Sequence, residues 1–185
     1  VSLFVYLSRT SHPEIRTRMP DPSNAKRQFC TNPELPECPQ LKILRIDGSL
    51  FFGAVDHVEE KLRKFLDQQP SQKHLLLICT GINFLDVAGA DLLSRIFKKY
   101  RSMGGDLYFY RIKDSVRSTM QRNGFSTELF EQNVFRSKKN AIGEIVSRVD
   151  HDKCRICSKR VFQECSQLKT LEQTWEFVEH ANTPN

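Results

Sequence analysis

The chain has 185 residues, enough for one domain of ordinary size plus tails. A hydrophobic content of 39% supports a core and leaves room for disordered stretches. The formal charge of +6 suits an anionic partner. The basic residues are nevertheless spread in short clusters such as Lys98-Lys99, Arg101 and Lys138-Lys139, with no nucleic-acid motif beside them, so no nucleic-acid partner is expected.

The chain opens on an apolar run, Val1 to Leu7, far shorter than the about 20 residues needed to cross a bilayer. Arg9, His12, Arg16 and Arg18 follow it. An apolar run ending in basic residues is the pattern of a membrane helix leaving on the cytoplasmic side. A frayed tail or edge strand fits the same residues. The absence of an initiator Met favours a cut fragment. Glu14 to Arg18 is a short edge-strand candidate. Pro20, Pro22, Pro33, Pro36 and Pro39 then break regular structure over an insertion at 20–40.

Leu41 to Ile46 reads as a strand, turned by Asp47-Gly48. Val55, Val58, Leu62, Phe65 and Leu66 line one helix face before Pro70. His74 to Cys79 is a continuous apolar run, as in a central strand covered on both sides. Leu92, Leu93, Ile96, Phe97 and Tyr100 mark a second helix, ended by Gly104-Gly105. Leu107 to Ile112 is a third core strand. Asp114 is placed to cap a helix carrying Val116 and Met120, and Ser137 to cap one carrying Ala141, Ile142, Ile145, Val146 and Val149. The order β–α–β–α–β–α–α predicts an α/β fold with parallel strand pairs and helices packed on the sheet. Residues 151–185 are polar and poorly periodic, and a weakly ordered tail is expected there.

Catalytic and phosphate-binding motifs are missing. There is no G-x-x-x-x-G-K-[ST], no G-x-G-x-x-G after a strand and no G-x-S-x-G. His57 beside Glu59-Glu60 fits a solvated helix face, and His74 a strand boundary. Enzyme activity is not expected.

The most informative stretch is Ile82 to Leu93. Asp86 stands where a helix N-cap belongs, able to accept hydrogen bonds from the first free amides. Val87, Ala88, Gly89 and Ala90 are small enough for another surface to approach. Pattern alone favours an ordinary strand-to-helix turn over a docking site. Leu41 to Phe52 resembles the opening of a STAS domain, and Asn83 to Leu93 resembles the signature turn of that family. The match runs over about residues 41–150. Tyr6 to Pro13 resembles the exit of the final membrane helix in SulP-type anion transporters, and the insertion before Leu41 is similar to theirs.

The resemblance implies a mixed sheet of four to five strands with four to five helices. It divides the chain into the end of a last membrane helix with a juxtamembrane segment (1–14), the STAS domain (15–150) and the tail (151–185). The implied role is that of a cytoplasmic regulatory domain of a bacterial secondary active sulfate or anion transporter, at the inner membrane. The implied partners are the transporter's own membrane part, a second copy or a cytosolic protein, with an inorganic anion as substrate of the full-length protein. A free-standing anti-sigma-factor-antagonist-like module is the alternative. In the antagonists the residue before the turn glycine is a serine switched by phosphorylation; here it is Ala88, which has no hydroxyl to modify. Asp86 to Ala90 is the expected partner-binding turn. Asp47, Gly48, Ser49, Thr80 and Gly81 are candidates for a weak anion or nucleotide contact.

The six cysteines are Cys30, Cys38, Cys79, Cys154, Cys157 and Cys165. No cleavable signal peptide is visible, so a reducing compartment with free thiols or metal ligands is expected. His151, Cys154, Cys157 and Cys165 are spaced H-x2-C-x2-C-x7-C, which could bring four ligands to one zinc. A redox-sensitive C-x2-C pair and simple tail thiols are the other readings.

Overall fold

The computed structural model describes residues 10–26, 28–125 and 127–167. The expected membrane-helix end at Val1 to Leu7 and the last part of the tail, 168–185, lie outside the described residues. Five strands form the main sheet. β1 (Glu14–Thr17) runs antiparallel to β4 (Leu41–Asp47) at one edge. β4, β5 (His74–Gly81), β6 (Asp106–Tyr110) and β7 (Val134–Phe135) follow in that order, all parallel. β2 (Met19–Pro20) and β3 (Phe29–Cys30) make a separate two-stranded ribbon inside the proline-rich insertion.

Alternation along the central strands explains why both sheet faces are covered. Leu44 and Ile46, Leu75, Leu77 and Cys79, and Leu107 and Phe109 point to a first face. There they meet α1 (Val55–Gln68), α2 (Val87–Ser102), α3 (Asp114–Arg122) and α4 (Thr127–Gln132), through Val58, Leu62, Leu92, Ile96, Met120 and Phe130 among others. Leu41, Ile43, Leu76, Ile78 and Tyr108 point to a second face, packed on Ala141, Ile142, Ile145 and Val146 of α5 (Lys138–Arg148). The core strands and the α1, α2, α3 and α5 helices thus fall where the periodicity puts them. Two short elements, α4 and β7, were not foreseen: six and two residues are too few to show a period. Lys113, not Asp114, precedes α3, so Asp114 sits in the first turn rather than at the cap. Ser137 caps α5 as expected, accepting from the Asn140 N–H at 3.5 Å.

The tail departs from expectation. Residues 151–167 form α6 (His151–Arg155) and a 3-10 turn (Gln163–Gln167). Val161 and Phe162, about 6% and 5% exposed, complete the second core. The Gln40 side chain staples this segment down: its amide donates to the Asp150 carbonyl at 2.9 Å and its oxygen accepts from the Asp150 N–H at 3.0 Å. Two apolar residues among polar neighbours have no sequence period, yet they close a sheet face that α5 alone leaves open.

Parallel β4, β5 and β6 end on the same side of the sheet. Ligands of open α/β sheets gather beyond those carboxyl ends; the turn at Asp86 and the basic cavity at Thr80 lie there.

Candidate functional site

Three backbone segments meet where α2 begins. Asp86 is extended (φ −98°, ψ −175°) and caps the helix. Its Oδ1 accepts from the Gly89 N–H at 2.8 Å, and its Oδ2 accepts from the Phe52 N–H at 2.9 Å. One carboxylate therefore holds both the helix start and the loop after β4. The main chain adds Leu50 N–H to the Phe84 carbonyl at 3.0 Å and Asp86 N–H to the Leu50 carbonyl at 3.1 Å. Leu50 and Leu85 form a parallel bridge at the same place.

Gly89 is fixed by this proximity. A Cβ there would lie 2.4 Å from the Leu50 carbonyl oxygen and 2.7 Å from Leu85 Cδ1. Only a residue without a side chain lets the helix approach the loop so closely. Ala90 is buried behind it, Ala88 is half-buried, and Val87 faces outward. Phe52, Phe84 and Val87 are 78%, 55% and 66% exposed, and all three flank the hydrogen-bonded corner. Ile156 is the other large exposed hydrophobic among the described residues. Large apolar side chains exposed beside one another make this corner a candidate interaction surface. Phe51 braces Phe52 edge-on, ring centroids 5.8 Å apart. Lys113, at the start of α3, reaches the Asn83 side chain at the border of the corner. The turn residues were legible as a group; Phe52 and Phe84 were not, since only the fold brings residue 52 to residue 86.

The five residues considered for an anion contact are split by the structure. Asp47 is engaged by Arg45, whose Nε donates to both carboxylate oxygens at 2.8 Å. The Gly48 N–H donates to the Gly81 carbonyl at 3.1 Å. A Cβ on Gly81 would lie 2.1 Å from Asp47 Oδ1. Asp47, Gly48 and Gly81 therefore lock the ends of β4 and β5 together. Ser49 is half-buried. Thr80 stands apart, lining a basic cavity on the second face.

The cysteine cluster is rearranged relative to its sequence spacing. Cys154, Cys157 and Cys165 line a small cavity, but the fourth cysteine there is Cys38 from the proline-rich insertion. His151 is not part of it; its Nε2 donates to the Val146 carbonyl at 2.9 Å. All six cysteines are free thiols. Among the described residues, no group of three or more His, Cys, Asp or Glu side chains is placed to hold a metal ion. Burial pushes the Cys38 thiol up to about 11 and raises Cys154 and Cys165 as well, which favours the protonated form.

Among the described residues no helix is long and apolar enough to cross a membrane. The STAS domain family profile matches residues 32–141. The putative sulfate transporter YvdB of Bacillus subtilis (strain 168) is 24% identical over 99 residues, which is 54% of this chain and 18% of that protein. The chain thus spans less than a fifth of that relative. The murine anion transporter Slc26a9 in its inward-facing state superposes with a TM-score of 0.69 at 18% identity, covering 79% of this chain and 24% of the transporter. The unphosphorylated anti-sigma factor antagonist SpoIIAA superposes with a TM-score of 0.50 at 16% identity, covering 62% of this chain and 96% of that protein. With its five-stranded mixed sheet, its carboxylate-capped turn at Asp86 and the family match over more than half its length, the chain belongs to the STAS domain family.

Proposed function

We propose that this chain is the cytoplasmic regulatory domain of a secondary active sulfate or other anion transporter. Its action is docking, not catalysis. Phe52, Phe84 and Val87 contact the membrane part of the same transporter, with Asp86 and Gly89 holding the corner rigid. The observation that carries this reading is the placement of three exposed apolar side chains around one carboxylate-capped turn. The likeness to YvdB and Slc26a9 supports attachment to a transporter. Alanine at position 88 makes the contact constitutive, because no phosphoryl group can be added there to place about two negative charges at the helix end.

The coding sequence upstream of Val1 tests the attachment. Ten or more long apolar segments are expected in frame; a start codon just before Val1 overturns it. Docking is tested separately in the full-length transporter. Phe52→Ser combined with Val87→Ser is expected to lower transport or assembly with the domain still folded. Unchanged transport and assembly in that variant removes the corner from the interface.

A further inference from the structure

The second sheet face carries a cavity of about 400 Å3 at the carboxyl ends of β4, β5 and β6, within the range of small-molecule sites, roughly 300–1,000 Å3. Arg18, Lys26, Arg45, Arg111 and Lys138 all line it, and no Asp or Glu does. These five come from β1's end, the insertion, β4, β6's end and α5, so the clustering is a product of the fold. Arg45 has its charge answered close by, through Asp47. Among the described residues no carboxylate lies within ion-pair distance of Arg18, Lys26 or Arg111. Arg18 is oriented by neutral oxygens instead, donating to the Phe29 carbonyl at 2.5 Å and to Thr31 Oγ1 at 3.4 Å. The Lys138 ammonium reaches the Lys26 carbonyl and feels Glu164 from the adjoining groove.

Two further features bear on this cavity. Arg18 Nε and Thr80 Oγ1, both on residues lining this cavity, are buried without a hydrogen-bond partner. Unmatched donors of this kind are uncommon in folded proteins. Arg111 holds a left-handed backbone (φ 55°) and sets its guanidinium over the Tyr110 ring at 5.7 Å. Such strain concentrates at ligand clamps. Like charges converging in one crevice repel, and a multiply charged anion converts that repulsion into attraction.

We propose that this cavity binds a doubly charged oxyanion group, phosphate or sulfate, held by the Arg and Lys side chains with Thr80 donating a hydrogen bond. Planar guanidinium forks match such oxygens in pairs. Tyr110 and Phe29 supply an aromatic wall for the organic part if the group is an ester. The site lies on the sheet face opposite α2 and is independent of the docking corner.

Calorimetric titration of the 185-residue chain with sodium phosphate, sodium sulfate and phenyl phosphate, each against sodium chloride at matched ionic strength, tests it. Saturable one-site binding of the oxyanions over chloride is expected. Tighter binding of phenyl phosphate identifies an ester site, and equal binding identifies a site for the free ion. The double variant Lys26→Gln, Arg111→Gln weakens binding tenfold or more, while Lys64→Gln on α1 leaves it unchanged. Thr80→Val, nearly isosteric, weakens it severalfold and keeps the test valid if the double variant misfolds. Equal heats with chloride, or unchanged phosphate affinity in both the double variant and Thr80→Val, overturn the proposal.

Discussion

The two faces of the sheet are built on different plans. The first is covered by helices that alternate with the strands along the chain, and its core residues recur with helical or strand period. The second is closed by α5 together with pieces remote from the strands they cover: Phe29 and Cys38 from the insertion, and Val161 and Phe162 after α6. The first presents an apolar corner at the start of α2, the second a basic crevice beyond the strand ends. Local chain order made one surface; long-range assembly made the other.

The largest effect is expected on the first face. Gly89→Leu places atoms against the Leu50 carbonyl, so the helix start must move from the loop. Urea unfolding should register a loss of about 4 kcal/mol or more, if the variant folds at all. A loss below about 1 kcal/mol shows that the corner tolerates separation, contrary to the close approach described.

Phe162→Ala is the matching experiment on the second face. Truncating a buried Phe costs about 3–5 kcal/mol. An effect of that size makes residues 151–167 part of the domain core. A change within about 0.5 kcal/mol returns them to the status of an appended tail and erases the structural contrast between the faces.

Asp86→Ala removes the cap of α2 and the tie to the Phe52 N–H together. Loss of a cap costs about 0.5–2 kcal/mol, and the upper end is expected because two donors lose their acceptor. Asp86→Asn keeps an acceptor oxygen and should recover part of it. If Asn behaves as Ala does, the second oxygen matters as much as the first.

The smallest effect is a pH dependence on the second face. His74 is buried beside Tyr108, its Nδ1 3.1 Å from the phenolic oxygen. Burial lowers its pKa below 6.5, the charge of Arg148 adds to that, and Asp106 opposes it. A depressed imidazole disfavours the folded state once protonated. Stability is therefore full above about pH 6.5 and declines as pH falls through the lowered value. The difference in unfolding temperature between the chain and His74→Gln should be flat above pH 7 and should change between pH 6.5 and 5 in favour of the variant. Parallel profiles down to pH 5 remove His74 as a source of acid sensitivity.

Much of this was written in the chain itself. The apolar run from His74 to Cys79, the helical stripes on α1 and α2, the small residues after Asp86 and the Ser137 cap are short-range patterns. They reflect backbone periodicity and hydrogen-bonding needs satisfied within a few residues, and so they set the α/β class and the position of the turn. Alanine at 88, visible in the sequence, already excludes phosphorylation at that position. Tertiary structure alone decided the rest. It brought Phe52 to Asp86, exchanged His151 for Cys38 beside the other three cysteines, packed Phe162 under α5 and gathered five cations around Thr80. Those contacts join residues tens of positions apart, where chain connectivity imposes no period and only the closing of the two sheet faces fixes which side chains meet.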